Sequence, residues 1–416
     1  MIRPRILRAI LLAAFLGGGG GAAVLLDQPA AAADEKQSAR AQIGQPVKEA
    51  EQFLKQKKFK EALEKLQAAD AVPDKTPYER YVIEGTRAAV LLNSGNYADA
   101  TKALEAVLAT GILAPQDALQ RIQALVQLNY QLKNYAQAVD YANRYYRDGG
   151  GDESIRLLQA QAYYLLNDFA SAAKTIRVVI DAEEKKGKRP DENFLLMLLN
   201  SEYRQKNEPD RIEALEIMVA DYPKPEYWSD LLTAIQKKPG FSSRLTLDLD
   251  RLMAAVGALK TADDYMHAAQ LALLAGLPGD GKSFLDKGFA AGVLGQGAQA
   301  DREKRLADMA SKQAADDLNS LPQISGEADA ADIGLTWVKL GDAYASYGQF
   351  DKAIAAYQKG LQKGGLQAPN DAKLHLGVAF LLTGQKAKAK AALLAVTGGD
   401  GTRDLAQLWL IEGGVE

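Results

Sequence analysis

The chain has 416 residues, no cysteine, two histidines and a formal net charge of -3, with charged residues making up 25% of it. Without cysteine it can form neither disulfides nor a lipid-bearing thiol, and a closed zinc site would have to use both histidines plus carboxylates. The mild acidity leaves no basic stripe of the kind that nucleic acid or an anionic membrane would need.

At the N-terminus, Arg3, Arg5 and Arg8 precede an apolar run over 9–26, and Ala31, Ala32 and Ala33 precede Asp34. Positive end, apolar middle and small-residue exit predict a secretory signal peptide over 1–33, hence a periplasmic protein. The alternative is an uncleaved inner-membrane anchor, against which Gly17 to Gly21 argue as a poor spanning helix. Cleavage after Ala33 removes three arginines and one aspartate, which takes the net charge to -5. Residues 34–44 read as a disordered linker.

From residue 45 onward one pattern recurs, an aromatic residue three positions before a small alanine. It occurs at Phe59/Ala62, Tyr97/Ala100, Tyr135/Ala138 and Phe169/Ala172, so the alanines are 38, 38 and 34 residues apart. Turn formers precede the last three pairs at Gly95-Asn96, Lys133-Asn134 and Asn167-Asp168. A further helix hairpin is expected at 193–221 with Ala214 as its small residue, which completes an N-terminal array over 45–221. Over 222–330 the pattern degrades, and apolar spacing predicts helices at 228–235, 245–259, 265–275 and 302–318.

The clearest unit lies at 337–369. Trp337, Leu340, Gly341 and Tyr344 share one helix face, Tyr347, Gly348 and Gln349 form a turn, and Ala353 and Tyr357 follow on a second helix before Pro369. Gly341 and Ala353, having little or no side chain, let the two helices approach closely. Gly377 and Ala389 repeat the pair in a last hairpin, making a C-terminal pair over 331–398, with 399–416 left as a tail or capping helix. This spacing resembles the tetratricopeptide repeat, whose period is about 34 residues. No sustained alternating run marks a strand. The expected fold is all-α, a solenoid of tetratricopeptide helix hairpins wound as a right-handed superhelix.

Four stretches extend the resemblance: GKRPDENFLLMLL at 187–199, ADYPKPEYWSDLL at 220–232, AAQLALLAGLPGDGKSFLDKGFAAGVL at 268–294 and YQKGLQKGGLQAPNDAKLHLG at 357–377. They are similar to periplasmic tetratricopeptide proteins described as putative components of TonB systems. That resemblance implies a non-catalytic scaffold, no cofactor, and protein partners among TonB, ExbB and ExbD. A scaffold for envelope or polysaccharide assembly is the alternative.

A sharper alternative is Gly276-Leu277-Pro278-Gly279-Asp280-Gly281-Lys282-Ser283, which satisfies the phosphate-loop pattern G-x-x-x-x-G-K-[ST] and would make the chain a nucleotide-binding enzyme. That loop needs a strand before it, and residues 265–275 have helical spacing instead, so the expected role is a turn between two helices. His267 and His375 sit far apart among small apolar residues and read as packing or surface groups. Asp248 and Asp250 form an acidic pair that a helix or strand edge explains, with no partner to define a glycosidase or protease.

Surface recognition is what remains. Gln120, Gln123, Gln127 and Gln131 recur at offsets of three, four and four beside the apolar face of Leu119, Ile122, Leu125 and Val126, and Gln161 and Tyr164 take matching places on the next unit. The favoured reading is a wet face of a good helix former. The functional reading is an amide ladder that hydrogen-bonds an extended peptide in the groove of the array.

Overall fold

The computed structural model describes residues 38–415. The signal peptide, the start of the linker and Glu416 lie outside them. The described residues contain twenty α-helices and two short 3-10 turns, with no strand. They divide into two compact units, 38–206 and 207–415.

The first unit runs through α1 (Ala41–Lys55), α2 (Phe59–Asp70), α3 (Pro77–Asn93), α4 (Tyr97–Ala109), α5 (Pro115–Gln131), α6 (Tyr135–Arg147), α7 (Glu153–Leu165), α8 (Phe169–Lys185) and α9 (Glu192–Gln205). Helix α1 begins inside the stretch read as a linker, because Ile43, Val47 and Ala50 bury an apolar face against Ala62, Leu66 and Ala69 of α2. Each odd-numbered helix from α1 to α7 pairs with the next as a hairpin, and the first helices of neighbouring hairpins also touch, α1 with α3 and α5 with α7.

The second unit contains α10 (Glu208–Asp221), α11 (Pro225–Gln236), α12 (Thr246–Ala255), α13 (Ala262–Leu274), α14 (Pro278–Ala290), α15 (Ala300–Ala330), α16 (Leu335–Ser346), α17 (Phe350–Lys363), α18 (Pro369–Leu382), α19 (Lys386–Leu394) and α20 (Thr402–Gly413). The two helices expected as one hairpin over 193–221 thus fall in different units. Helix α15 continues through Pro322, well past the expected end at 318. Leu321, Ile324 and Ala328 bury there against Trp337, Leu340 and Ala343, and that packing outweighs the proline's penalty.

One local device sets the repeat. A residue in the left-handed region stands two positions before the second helix of each hairpin: Lys57, Gly95, Lys133, Asn167, Gly276, Gly348 and Gly384, with Lys206 in the same place before α10. The amide after it bonds back five residues, as Asn96 N to Leu91 O at 2.9 Å and Asn134 N to Asn129 O at 2.8 Å, closing the first helix and aiming the chain into the second. The alanines picked out by the spacing, Ala62, Ala100, Ala138, Ala172, Ala214, Ala353 and Ala389, are at most 1% exposed.

Inside the second unit the last helix returns to the first ones. Helix α20 packs on α18 and α19 and also on α10 and α12. Arg244, just before α12, donates to both carboxylate oxygens of Asp371 at 2.9 Å and to Asp400 at 2.7 Å. Ser242 N donates to Asp400 O at 2.9 Å, and Lys238 pairs with Asp404 at 2.9 Å. These contacts tie the two ends of the second unit together.

Candidate functional site

A cavity of about 320 Å³ lies within the second unit. Asp248, Arg251, Asp280, Tyr357 and His375 are among the residues that line it, and Asp342 lies behind them. Asp248 and Arg251, three positions apart on α12, share a face of that helix, and Arg251 donates to Asp248 Oδ1 at 2.7 Å. Its other nitrogens reach Asp280 Oδ2 on α14 at 2.6 and 3.0 Å. His375 on α18 bridges two carboxylates, with Nε2 3.0 Å from Asp248 Oδ1 and Nδ1 2.7 Å from Asp342 Oδ1 on α16. Tyr357 on α17 donates its hydroxyl to the same Asp342 oxygen at 2.8 Å.

Gly341 makes the last contact possible, since a Cβ there would meet the Tyr357 ring at 2.5 Å. The lining also includes the apolar groups Phe350, Leu374, Val378, Leu382 and Trp409.

The protonation state follows from the geometry. Ionised carboxylates only accept hydrogen bonds, so an imidazole held between two of them donates from both nitrogens and is a cation. Burial alone would lower the His375 pKa, but Asp248 and Asp342 outweigh it and raise it to about 10. Burial likewise works against the Asp248 carboxylate, yet His375 and Arg251 hold it well below the usual range. Burial pushes Tyr357 up, and Asp342 reinforces the shift, so its hydroxyl stays protonated.

His375 was read as a packing or surface group and Asp248 as part of an acidic pair without a catalytic partner, and the structure joins the two residues across the unit. Arg251 and Asp342 carried no functional reading, and Asp280 only a variable place in the phosphate-loop pattern. The sequence signal that points to them is a charged residue on a face otherwise kept apolar or small, as Asp342 beside Gly341 and His375 between Leu374 and Leu376. Among the described residues, no group of three or more His, Asp or Glu side chains is arranged to hold a metal ion.

The phosphate-loop lookalike is a helix-to-helix turn. Gly276, at φ +74°, ends α13, and Pro278 opens α14. The element before it is a helix, Gly281 N bonds to Leu277 O, and Lys282 pairs with Asp286 one turn on. With the amides turned into the helix, no phosphate cradle is formed. Asp280 of the same segment serves the ion network instead.

The glutamines fall in the first unit. Gln120, Gln123, Gln127 and Gln131 all lie on α5, and Gln161 and Tyr164 lie on α7, which touches α5. Gln120, Gln127 and Gln131 are exposed. Gln123 is committed inside the fold, donating to Asp152 Oδ2 at 2.8 Å, and Tyr164 donates to Asn200 Oδ1 at 2.8 Å. Asp152 also accepts from Ser154 N at the start of α7, so Gln123 braces the start of that helix. Only the exposed glutamines, with half-buried Gln161, remain as a candidate amide face.

Residues 86–153 and 338–402 match the tetratricopeptide repeat family. The fold around these spans is an all-α array of tetratricopeptide-type helix hairpins. Among solved structures it is similar to the TPR2AB domain of yeast Sti1 in its complex with pHSP90, at 15% identity over 70% of this chain and 97% of that one, with a TM-score of 0.23. It is also similar to yeast Tom70, at 11% identity over 90% and 96% with a TM-score of 0.25, and to the TPR domain of P58(IPK), at 16% over 82% and 98% with a TM-score of 0.22. No curated protein matches it.

Proposed function

We propose that this chain is a non-catalytic periplasmic scaffold that holds protein segments for a TonB, ExbB and ExbD type energy-transduction system. The observation that carries the scaffold reading is the repeat itself, matched over 86–153 and 338–402 and repeated as hairpins on both sides of the first span. Stacked hairpins leave faces of first helices free for extended segments or partner helices, and α5 presents exposed Gln120, Gln127 and Gln131 there, beside half-buried Gln161 of α7. Catalysis finds little support, since the phosphate-loop lookalike is spent on a turn and on an ion network.

The TonB assignment rests on the stretches at 187–199, 220–232, 268–294 and 357–377, and the compartment rests on the leader pattern over 1–33. No helix among the described residues is long and apolar enough to cross a membrane. Chemical crosslinking in intact cells, followed by identification of the attached proteins, tests the assignment. Recovery of TonB or ExbD supports it. Recovery of polysaccharide or peptidoglycan machinery alone replaces it with the envelope-assembly role.

A further inference from the structure

Helix α12 buries two carboxylates and provides for only one of them. Asp248 is 8% exposed and Asp250 is 6% exposed, among the buried Leu247, Leu249 and Leu252. Asp248 has Arg251 at 2.7 Å and His375 at 3.0 Å. Asp250 Oδ2 is buried without a hydrogen-bond partner among the described residues.

Two positions along a helix turn the chain by about 200°, so Asp250 points away from the ion network. The charges that act on it are His267 and Asp264 of α13, with Asp248 of its own helix; α11, α20 and the turn at 243–245, which also pack on α12, add none. Asp264 is another carboxylate and is spent at the start of α13, accepting from Lys260 N at 3.0 Å and Thr261 N at 2.8 Å. His267 is exposed and does not reach Asp250 Oδ2.

A neutral carboxyl is tolerated in such a place, but a carboxylate there has lost its water and gained no donor. Ionisation therefore favours any state in which Asp250 meets solvent. The shortest route is separation of α12 from the helix it faces, about the link 256–261, which turns at Gly257 with φ +69°.

We propose that the joint between α12 and α13 is a pH-operated device, closed while Asp250 carries its proton and loosened when it ionises. The inference goes beyond the scaffold reading and stands without it. Asp248 and Arg251 ride on the same helix, so loosening α12 also disturbs the cavity they line. Burial pushes the Asp250 carboxyl up to about 6, whereas a free aspartate titrates near pH 3.9. Opening thus grows as pH rises between those values and levels off above the upper one.

The test is hydrogen exchange read by mass spectrometry on the full-length protein from pH 4 to pH 8, expressed as protection relative to the unstructured rate at each pH. Protection of α12 and α13 is expected to fall about tenfold per pH unit between about pH 4 and 6, about 100-fold in all, and then to stay level. Helices α16 and α17 are expected to keep theirs. Asp250→Asn is expected to retain the low-pH protection throughout. His267→Gln, on an exposed side chain, is expected to move the upper bend to higher pH, because a charge that favours the carboxylate is gone.

Parallel curves for the native protein and Asp250→Asn overturn the proposal and show a carboxyl that water already solvates. An equal fall in α16 and α17 also overturns it, because the unit then loses stability as a whole. Should Asp250→Asn prove unstable, the native curve decides: no local fall between pH 4 and 6 overturns the proposal.

Discussion

His375 and Asp248 lie 127 positions apart in the chain, yet their side chains meet at 3.0 Å in the interior of the second unit. The pair joins α18, in a well-preserved repeat, to α12, in the stretch where the repeat pattern is weakest. With Asp342 on its other nitrogen, the imidazolium is a buried cation held by two helices of different repeats.

That arrangement makes stability depend on pH. Free histidine titrates near pH 6.5 and His375 in the fold near 10, so the folded state holds the proton more tightly. Its contribution is complete below about pH 6.5 and is lost as pH rises through about 10. Urea midpoints for the native protein are expected to fall across that window. His375→Gln, which leaves Asp248 and Asp342 without their cation, is expected to cost about 3–5 kcal/mol at pH 6 and to flatten the slope. Parallel pH profiles for the two proteins would contradict the assignment.

Asp250, two residues along α12, behaves in the opposite sense. Its Oδ2 is buried with no hydrogen-bond partner among the described residues, and burial pushes the carboxyl up to about 6 against the pull of His267. The fold prefers it protonated, so ionisation above that value costs stability. Asp250→Asn is expected to raise stability by about 2–3 kcal/mol at pH 8, with the gain vanishing below about pH 4, where the carboxyl is neutral folded or unfolded. A variant no more stable than the native protein at pH 8 would show that the group is solvated.

The close approach of α16 and α17 has its own test. Gly341→Ala places a Cβ 2.5 Å from the Tyr357 ring, whose hydroxyl is tied to Asp342, so the ring cannot simply withdraw. A loss of about 1–3 kcal/mol is expected. Gly85→Ala in α3 meets nothing within 4 Å and is expected to gain about 0.5–1 kcal/mol from helix propensity alone. Thermal denaturation of both variants checks the contrast.

The two central glutamines of α5 separate in the same way. Gln127→Ala, on an exposed side chain, is expected to change stability by less than about 0.5 kcal/mol and to weaken partner capture if the amide face binds. Gln123→Ala removes the bond to Asp152 and is expected to cost about 0.5–1.5 kcal/mol whether or not a partner binds. Pull-down yield measured beside melting temperature distinguishes the roles.

Much of the fold is legible because it is written locally. Every alanine in the aromatic-to-alanine spacing is buried, and Gly341 stands where the second helix presses closest, since a hairpin's contacts lie within about one repeat length. Turns hidden at Lys57 and Lys206 escaped the reading, because neither lysine advertises the left-handed conformation it adopts. Helix α15 outran its expected end because contacts with Trp337 and Leu340 hold it through Pro322. The ion network was illegible for a different reason. Asp248, Asp280, Asp342 and His375 come from four helices, and no local pattern reports that these helices face one cavity.

The scaffold claim is tested most directly by placing a photo-crosslinking amino acid at Gln127 in the full-length protein and irradiating intact cells, with Lys102, exposed on the second helix of the preceding hairpin, as the control position. The account predicts a discrete protein adduct from position 127, identified as TonB or ExbD, and none from position 102. Equal labelling at both positions, or no protein adduct from 127, would contradict it.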